Sequence, residues 1–262
     1  MTTSSTANAQ RSWELAARAG YAVSGVLHVL IGVLALRVAL GSGGEQADQS
    51  GALSTVAGTP FGAVALWFAV VAFVALGAWQ AATAIHGGTG PGDASDRAKA
   101  AGRAVVYLAL ALATLSFARG GGSSASAQTA DMTATLMGAP GGRVLVGAVG
   151  IAIIAVGLYH VYKGWKKRFL EDLRRLPSGT AGPVVRRLGM LGYVAKGVAL
   201  AIVGGLFVTA AATADPSKST GLDGALHTLR DQPAGVAMLV VVALGFVAYG
   251  TYSFVRARYG RI

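Results

Sequence analysis

Three polar residues, Gln80, His160 and Ser253, each directly follow an aromatic residue (Trp79, Tyr159, Tyr252) in an apolar stretch, and each aromatic lies two positions after a glycine (Gly77, Gly157, Gly250). An amide, an imidazole and a hydroxyl at equal depth in a bilayer suit two kinds of chemistry. They can line a pathway or hold a small solute, or they can hydrogen-bond between helices, a contact worth about 0.6–2 kcal/mol each. Lys196 and Ser24 share another register, three residues after Tyr193 and Tyr21. About one turn inside its helix, Lys196 is expected to snorkel its ammonium to the headgroups, with a solute or anion contact in the bundle interior as the alternative. His28 stands alone in its register near mid-membrane. A bis-histidine haem would need a second histidine at the same depth, and His86 and His160 both lie further toward the inner side. No His-x-x-x-His, Glu-x-x-His or phosphate-cradling glycine loop occurs, and the absence of cysteine removes disulfides, thiolate chemistry and cysteine-ligated metals. The expectation is therefore no catalytic residue, no cofactor and no metal.

The elements that position these residues are membrane helices. The chain is 53% hydrophobic and 13% charged, where soluble domains carry about 25% charged residues. Six apolar runs, Ala19–Leu40, Phe61–Ile85, Gly102–Ala118, Val144–Tyr162, Leu188–Ala214 and Ala234–Val255, are long enough or nearly so to cross about 30 Å of hydrocarbon. The third is the shortest, at roughly 17 residues and about 26 Å, and needs its flanks to snorkel or the bilayer to thin. The runs repeat. Tyr21, Tyr107 and Tyr193 are evenly spaced, each near the start of an odd-numbered helix, and the motif Gly20-Tyr21…Gly25 returns as Gly192-Tyr193…Gly197. Small residues recur seven positions on, at Gly32, Ala118 and Gly204. Seven residues make nearly two turns, so these face one way and let another backbone come close. The predicted fold is all-α and polytopic: six transmembrane helices forming three parallel hairpin repeats around a pseudo-threefold axis. The repeats cover about 13–86, 97–165 and 183–258 of a single membrane domain over 13–262, after a polar tail at 1–12 expected to be disordered.

The outer connections repeat as well. Thr55, Thr135 and Thr228 precede Pro60, Pro140 and Pro233 in one register, and Ser50 and Asp223 stand where a helix cap is wanted. This predicts a short outer helix in each unit, either interfacial or re-entrant, with the proline opening the even helix at its first turn. Of the inner connections, Gly87–Asp96 reads as a turn. Lys163–Arg187, with Trp165, Phe169, Leu170, Leu173 and Leu176 at roughly helical spacing, predicts an amphipathic interfacial helix.

The net charge of +11 is placed for a membrane, not for nucleic acid. Sixteen of the 22 Lys and Arg fall on the side of the termini and even-numbered connections, which predicts a plasma-membrane protein with both termini cytoplasmic. The expected partners are anionic lipid headgroups at that inner face and an unidentified membrane or cytoplasmic protein.

Three tandem two-helix units, the first opening with Arg18-Ala-Gly-Tyr21, resemble the bacterial membrane family called domain of unknown function 1206, common in actinobacteria. The resemblance runs from about Arg18 to Arg256. It implies the fold and supplies no activity, ligand or catalytic residue. The middle unit departs from the motif, with Val106 and Ala111 where the outer units have glycine. The expected function is a non-enzymatic scaffold or accessory protein acting by helix and inner-surface contacts. The alternative is a channel or carrier for a small solute or ion, through the polar layer of Gln80, His160 and Ser253 with Lys196 and Ser24 nearby.

Overall fold

The computed structural model describes residues 3–42, 46–86, 93–122 and 124–261, with the side chains of 3–17, 86, 93 and 95 outside the description. Glu45, most of the turn expected over 87–96, and the side chains of Arg11 and His86 therefore lie outside the described residues. Among the described residues, nine α-helices follow in chain order: α1 (Thr3–Ala39), α2 (Gln49–Ala57), α3 (Gly62–His86), α4 (Asp93–Ala118), α5 (Ala125–Met137), α6 (Gly142–Trp165), α7 (Ala181–Thr213), α8 (Gly221–Arg230) and α9 (Gly235–Tyr259). Six of them, α1, α3, α4, α6, α7 and α9, carry spans long and apolar enough to cross a membrane. At least half of each apolar window stays outside the protein interior, and large side chains such as Phe68 and Val144 are more than 70% exposed. A water-soluble bundle turns such a face inward; lipid is the solvent that accepts it. Helix α1 begins at Thr3, inside the segment 1–12 for which composition suggested no fixed structure. No glycine or proline interrupts residues 3–19, so the helix runs on past the span.

Short helices α2, α5 and α8 precede the even spans, and the repeated threonine has one local job in all three. Its hydroxyl donates to the carbonyl four residues back: Thr55 to Gly51 (2.8 Å), Thr135 to Asp131 (3.0 Å) and Thr228 to Gly224 (2.8 Å). The helices begin earlier than expected, so Asp223 lies inside α8. Its carboxylate accepts the Ala47 amide (2.8 Å) and does not cap its own helix. The prolines are also corrected: each lies two residues before its even helix, in the turn. That turn needs the glycine that follows, because a Cβ at Gly62, Gly142 or Gly235 would strike the carbonyl of Val56, Leu136 or Leu229.

The chain divides into two compact units, residues 1–49 with 125–262, and residues 50–124. In the first, α6 lies antiparallel on α7, α9 on α1, and α7 on α9; in the second, α3 lies antiparallel on α4. Three of these pairs join the even helix of one sequence repeat to the odd helix of another. The α6–α7 seam is reciprocal: a Cβ at Gly157 would lie 2.7 Å from Gly197 O, and one at Gly197 would lie 2.5 Å from Gly157 O. Gly150 and Gly204 repeat the arrangement two turns away. The α1–α9 seam matches it, with Gly250 against Gly25 O (2.6 Å) and Gly32 against Ala243 O (2.7 Å). In α3–α4 the cognate Gly77 meets the Leu108 side chain at 2.8 Å instead of a backbone. Gly192 serves the α7–α9 contact, where the Tyr249 backbone stands 2.5 Å from its would-be Cβ. Gly20 differs: a Cβ there meets nothing within 4 Å, so close packing does not account for that glycine.

Candidate functional site

The helices α1, α7 and α9 bring together a polar group that the register analysis had kept apart. On α1, His28 Nδ1 lies 2.7 Å from the Ser24 carbonyl and 3.4 Å from the Ser24 hydroxyl. A carbonyl only accepts, so this pairing assigns the ring proton to Nδ1 and leaves Nε2 as an acceptor. Lys196 on α7 fills that position, its Nζ 3.1 Å from His28 Nε2. The same ammonium lies 4.4 Å from the centre of the Tyr249 ring on α9, a cation–π geometry. The His28 ring packs in turn on Tyr249 at 4.7 Å and Phe246 at 6.1 Å. Small residues permit this convergence: Gly25 and Gly32 flank His28 where α9 closes on α1, and Gly192 and Gly245 let α7 and α9 close beside Lys196.

Lys196 therefore does not snorkel. Its Nζ is held between His28 on α1 and the Tyr249 ring on α9. Ser24 joins the group through His28. His160 and Ser253 do not join it as a layer. His160 Nδ1 bonds the Val156 carbonyl four residues back (2.8 Å), and its ring stacks on Tyr193 at 5.8 Å. The Ser253 hydroxyl donates to the Tyr249 carbonyl (2.9 Å), and the residue is 3% exposed. Gln80, on α3 in the other unit, is 6% exposed.

His28 also forms part of a wall. With Leu27 and Ile31 it lines a cavity of about 280 Å³ whose other sides are Asp48, Gln49, Ala125, Thr129 and the segment Thr220–Leu222. These last residues belong to the connections at the end of the bundle opposite Arg18. One imidazole thus borders the cavity and accepts from the half-buried ammonium of Lys196.

The other end is closed by residues the sequence placed elsewhere. The expected amphipathic helix over 163–187 is a correction: α6 stops at Trp165, Lys167 adopts a left-handed conformation (φ 58°), and Arg168–Asp172 forms a 3-10 turn. Phe169 is fully buried, stacked on Tyr193 (5.5 Å) and edge-on to Tyr252 (5.2 Å), with Gly189 leaving room for its ring. The Tyr252 hydroxyl donates to the Phe169 carbonyl (2.8 Å). Asp172 accepts from Lys163 (2.8 Å) and lies 3.4 Å from Arg256 Nη2 and from the Tyr193 hydroxyl. The apolar residues of this segment fold into the bundle end, which satisfies their spacing as well as lipid would. Tyr21 lies beneath the Arg256 guanidinium (4.5 Å), and Tyr107 stacks on Phe73 (6.4 Å) within the second unit. Tyr249, Asp172 and Phe169 have no counterparts in the other repeats, so repetition gave no sign of them. Among the described residues, no group of three or more His, Asp or Glu side chains comes together to hold a metal.

Comparison with known proteins agrees with the repeat. The family described as Domain of Unknown Function (DUF1206) matches three times in tandem, at residues 19–87, 98–167 and 191–260. The chain is similar to a protein of Bacillus subtilis (strain 168) named "Uncharacterized protein YxxB". The two are 30% identical over 247 residues, covering 92% of this chain and 89% of that protein. No solved structure matches. The chain belongs to the DUF1206 family.

Proposed function

We propose that this DUF1206 member is a non-enzymatic channel or carrier of the plasma membrane for a small solute or ion, entered from the face opposite the arginine-rich end. The observation that supports this reading is His28, which borders a cavity on one side and accepts from an intramembrane ammonium on the other. An ionisable group deep in a span is costly to place and marks a pathway more often than a packing contact. The cluster of Phe169, Tyr193 and Tyr252 with the Asp172 ion pairs is the closed gate at the other end. The scaffold reading loses part of its motive. The glycine faces that suggested contact with another protein are used by the chain's own seams, Gly25 with Gly250 and Gly157 with Gly197. Basic residues gather at the gated end, so that end and both termini are cytoplasmic in this reading.

The chain has no cysteine, so single cysteines test the orientation cleanly. With a membrane-impermeant maleimide on intact cells, Thr129→Cys labels and Arg175→Cys labels only after lysis; the reverse pattern refutes the orientation. In proteoliposomes, gradients of protons, sodium, potassium and chloride are imposed in turn. At least one is expected to dissipate faster than in empty vesicles, with the excess abolished by Lys196→Met. Permeability equal to empty vesicles for all four, or a flux indifferent to Lys196→Met, refutes the transport reading.

A further inference from the structure

Lys196 places an ammonium inside the span Ala181–Thr213. Among the described residues its contacts are neutral: the acceptor Nε2 of His28 at 3.1 Å and the face of the Tyr249 ring at 4.4 Å. No carboxylate pairs with it among the described residues. An ammonium has three N–H donors, and these two contacts leave a third over. The cavity bordered by His28 comes within one side chain of this charge. The acid among its lining residues, Asp48, directly precedes α2, where the positive end of a helix dipole offsets a carboxylate.

The gated end has the same sign. Asp172 is shared by Lys163 (2.8 Å) and Arg256 Nη2 (3.4 Å), two cations on one carboxylate. On the same guanidinium, Arg256 Nε is a buried donor with no hydrogen-bond partner among the described residues. Aromatic rings join the two places. Tyr249, under the Lys196 ammonium, meets Tyr193 edge-on (5.2 Å), and the Tyr193 hydroxyl accepts from Arg256 Nη1 (3.3 Å). Ring edges are the positive part of the aromatic quadrupole, so this stretch does not oppose an anion. A cation passing between cavity and gate would approach positive charge at both places, whereas an anion would be drawn to each. A single positive charge at each place holds a monovalent ion firmly enough to admit it and loosely enough to release it.

We infer that the transported species is a small monovalent inorganic anion and that Lys196 selects for it. This rests on the transport reading above and gives it a sign. The probe is chloride. Vesicles holding the full-length protein are loaded with potassium chloride and diluted into isotonic sucrose, valinomycin carries potassium as counter-charge, and a chloride electrode reads the efflux. Matched vesicles with gluconate in place of chloride read the movement of sodium, potassium and protons. Chloride is expected to leave faster than from empty vesicles, and the three cations to move no faster than in empty vesicles. Lys196→Met lowers the chloride rate about tenfold, and Lys196→Arg, which keeps the charge, stays within about threefold of wild type. Cation movement at or above the chloride rate overturns the anion assignment and leaves transport standing. Chloride and cations all as slow as in empty vesicles overturn the transport reading and this inference with it. These wild-type comparisons do not depend on whether a variant folds. For variants that elute as monodisperse protein, Lys196→Met moving chloride like wild type, or Lys196→Arg as slow as Lys196→Met, overturns the selecting role of Lys196.

Discussion

Adding one methyl group at Gly157 tests whether the α6–α7 seam depends on backbone contact. The new Cβ would stand 2.7 Å from Gly197 O and 2.8 Å from Ala201 N. Both are backbone atoms of a helix, and neither can rotate away. Ordinary contact begins at 3.4 Å, so the helices must part by about 0.7 Å. A gap of about 0.5–1 Å forfeits a quarter to a half of the dispersion energy of each atom pair along the seam. Overpacking of this kind costs about 1–3 kcal/mol, and rigid neighbours put Gly157→Ala near the top, at about 2–3 kcal/mol. The cognate Gly77→Ala meets the Leu108 side chain, with the Leu108 amide further off at 3.5 Å. A leucine can change rotamer, so this variant costs about 0.5–1 kcal/mol. Gly205→Ala, facing open space, stays within about 0.5 kcal/mol of wild type. Reversible unfolding in mixed micelles against dodecyl sulfate mole fraction ranks the three. Equal costs at Gly77 and Gly157, or a Gly157→Ala protein as stable as wild type, would refute the reasoning.

Two further substitutions follow from local geometry. Phe169→Ala empties a fully buried site and should cost about 3–5 kcal/mol, with faster hydrogen exchange over residues 168–173. Unchanged exchange there would mean that the aromatic cluster does not hold the segment. Ala234 caps α9 in a left-handed conformation (φ 60°), where the second repeat has Gly141 (φ 75°). Ala234→Gly should raise stability by about 0.5–1 kcal/mol in a thermal melt, and a lowered midpoint would count against the strained cap.

The six spans and their repetition were legible because lipid demands long apolar runs, and because close helix contact demands small residues at fixed intervals. Gly25, Gly32, Gly197 and Gly204 announced that some backbone comes near. They could not say which, since a glycine face carries no address, and the partners proved to be helices of other repeats. Lys196 was read as a snorkelling anchor because headgroups lie within reach of an ammonium near the start of an apolar run; the partners that hold it instead, His28 and Tyr249, belong to other helices. His28 looked isolated because a register comparison finds only partners at equivalent positions, and its partner reaches it from one turn away on a different helix. The segment 168–173 misled through periodicity. Apolar residues spaced for a helix are spaced equally well for a turn folded into an aromatic pocket, and no residue type forecasts the left-handed Lys167.

The α1–α9 seam has a consequence for synthesis. Helix α1 is made before the other eight described helices, yet the partner for its Gly25 and Gly32 is α9, made about 200 residues later. At ribosomal speeds of about 5–20 residues per second, the wait is roughly 10–40 s. Throughout that interval the opening helix lies in the bilayer with its narrow side bare, available to chaperones and insertases. A nascent chain cut short before α9 would keep that side uncovered indefinitely, giving proteolytic surveillance a ready mark by which to tell unfinished copies from finished ones.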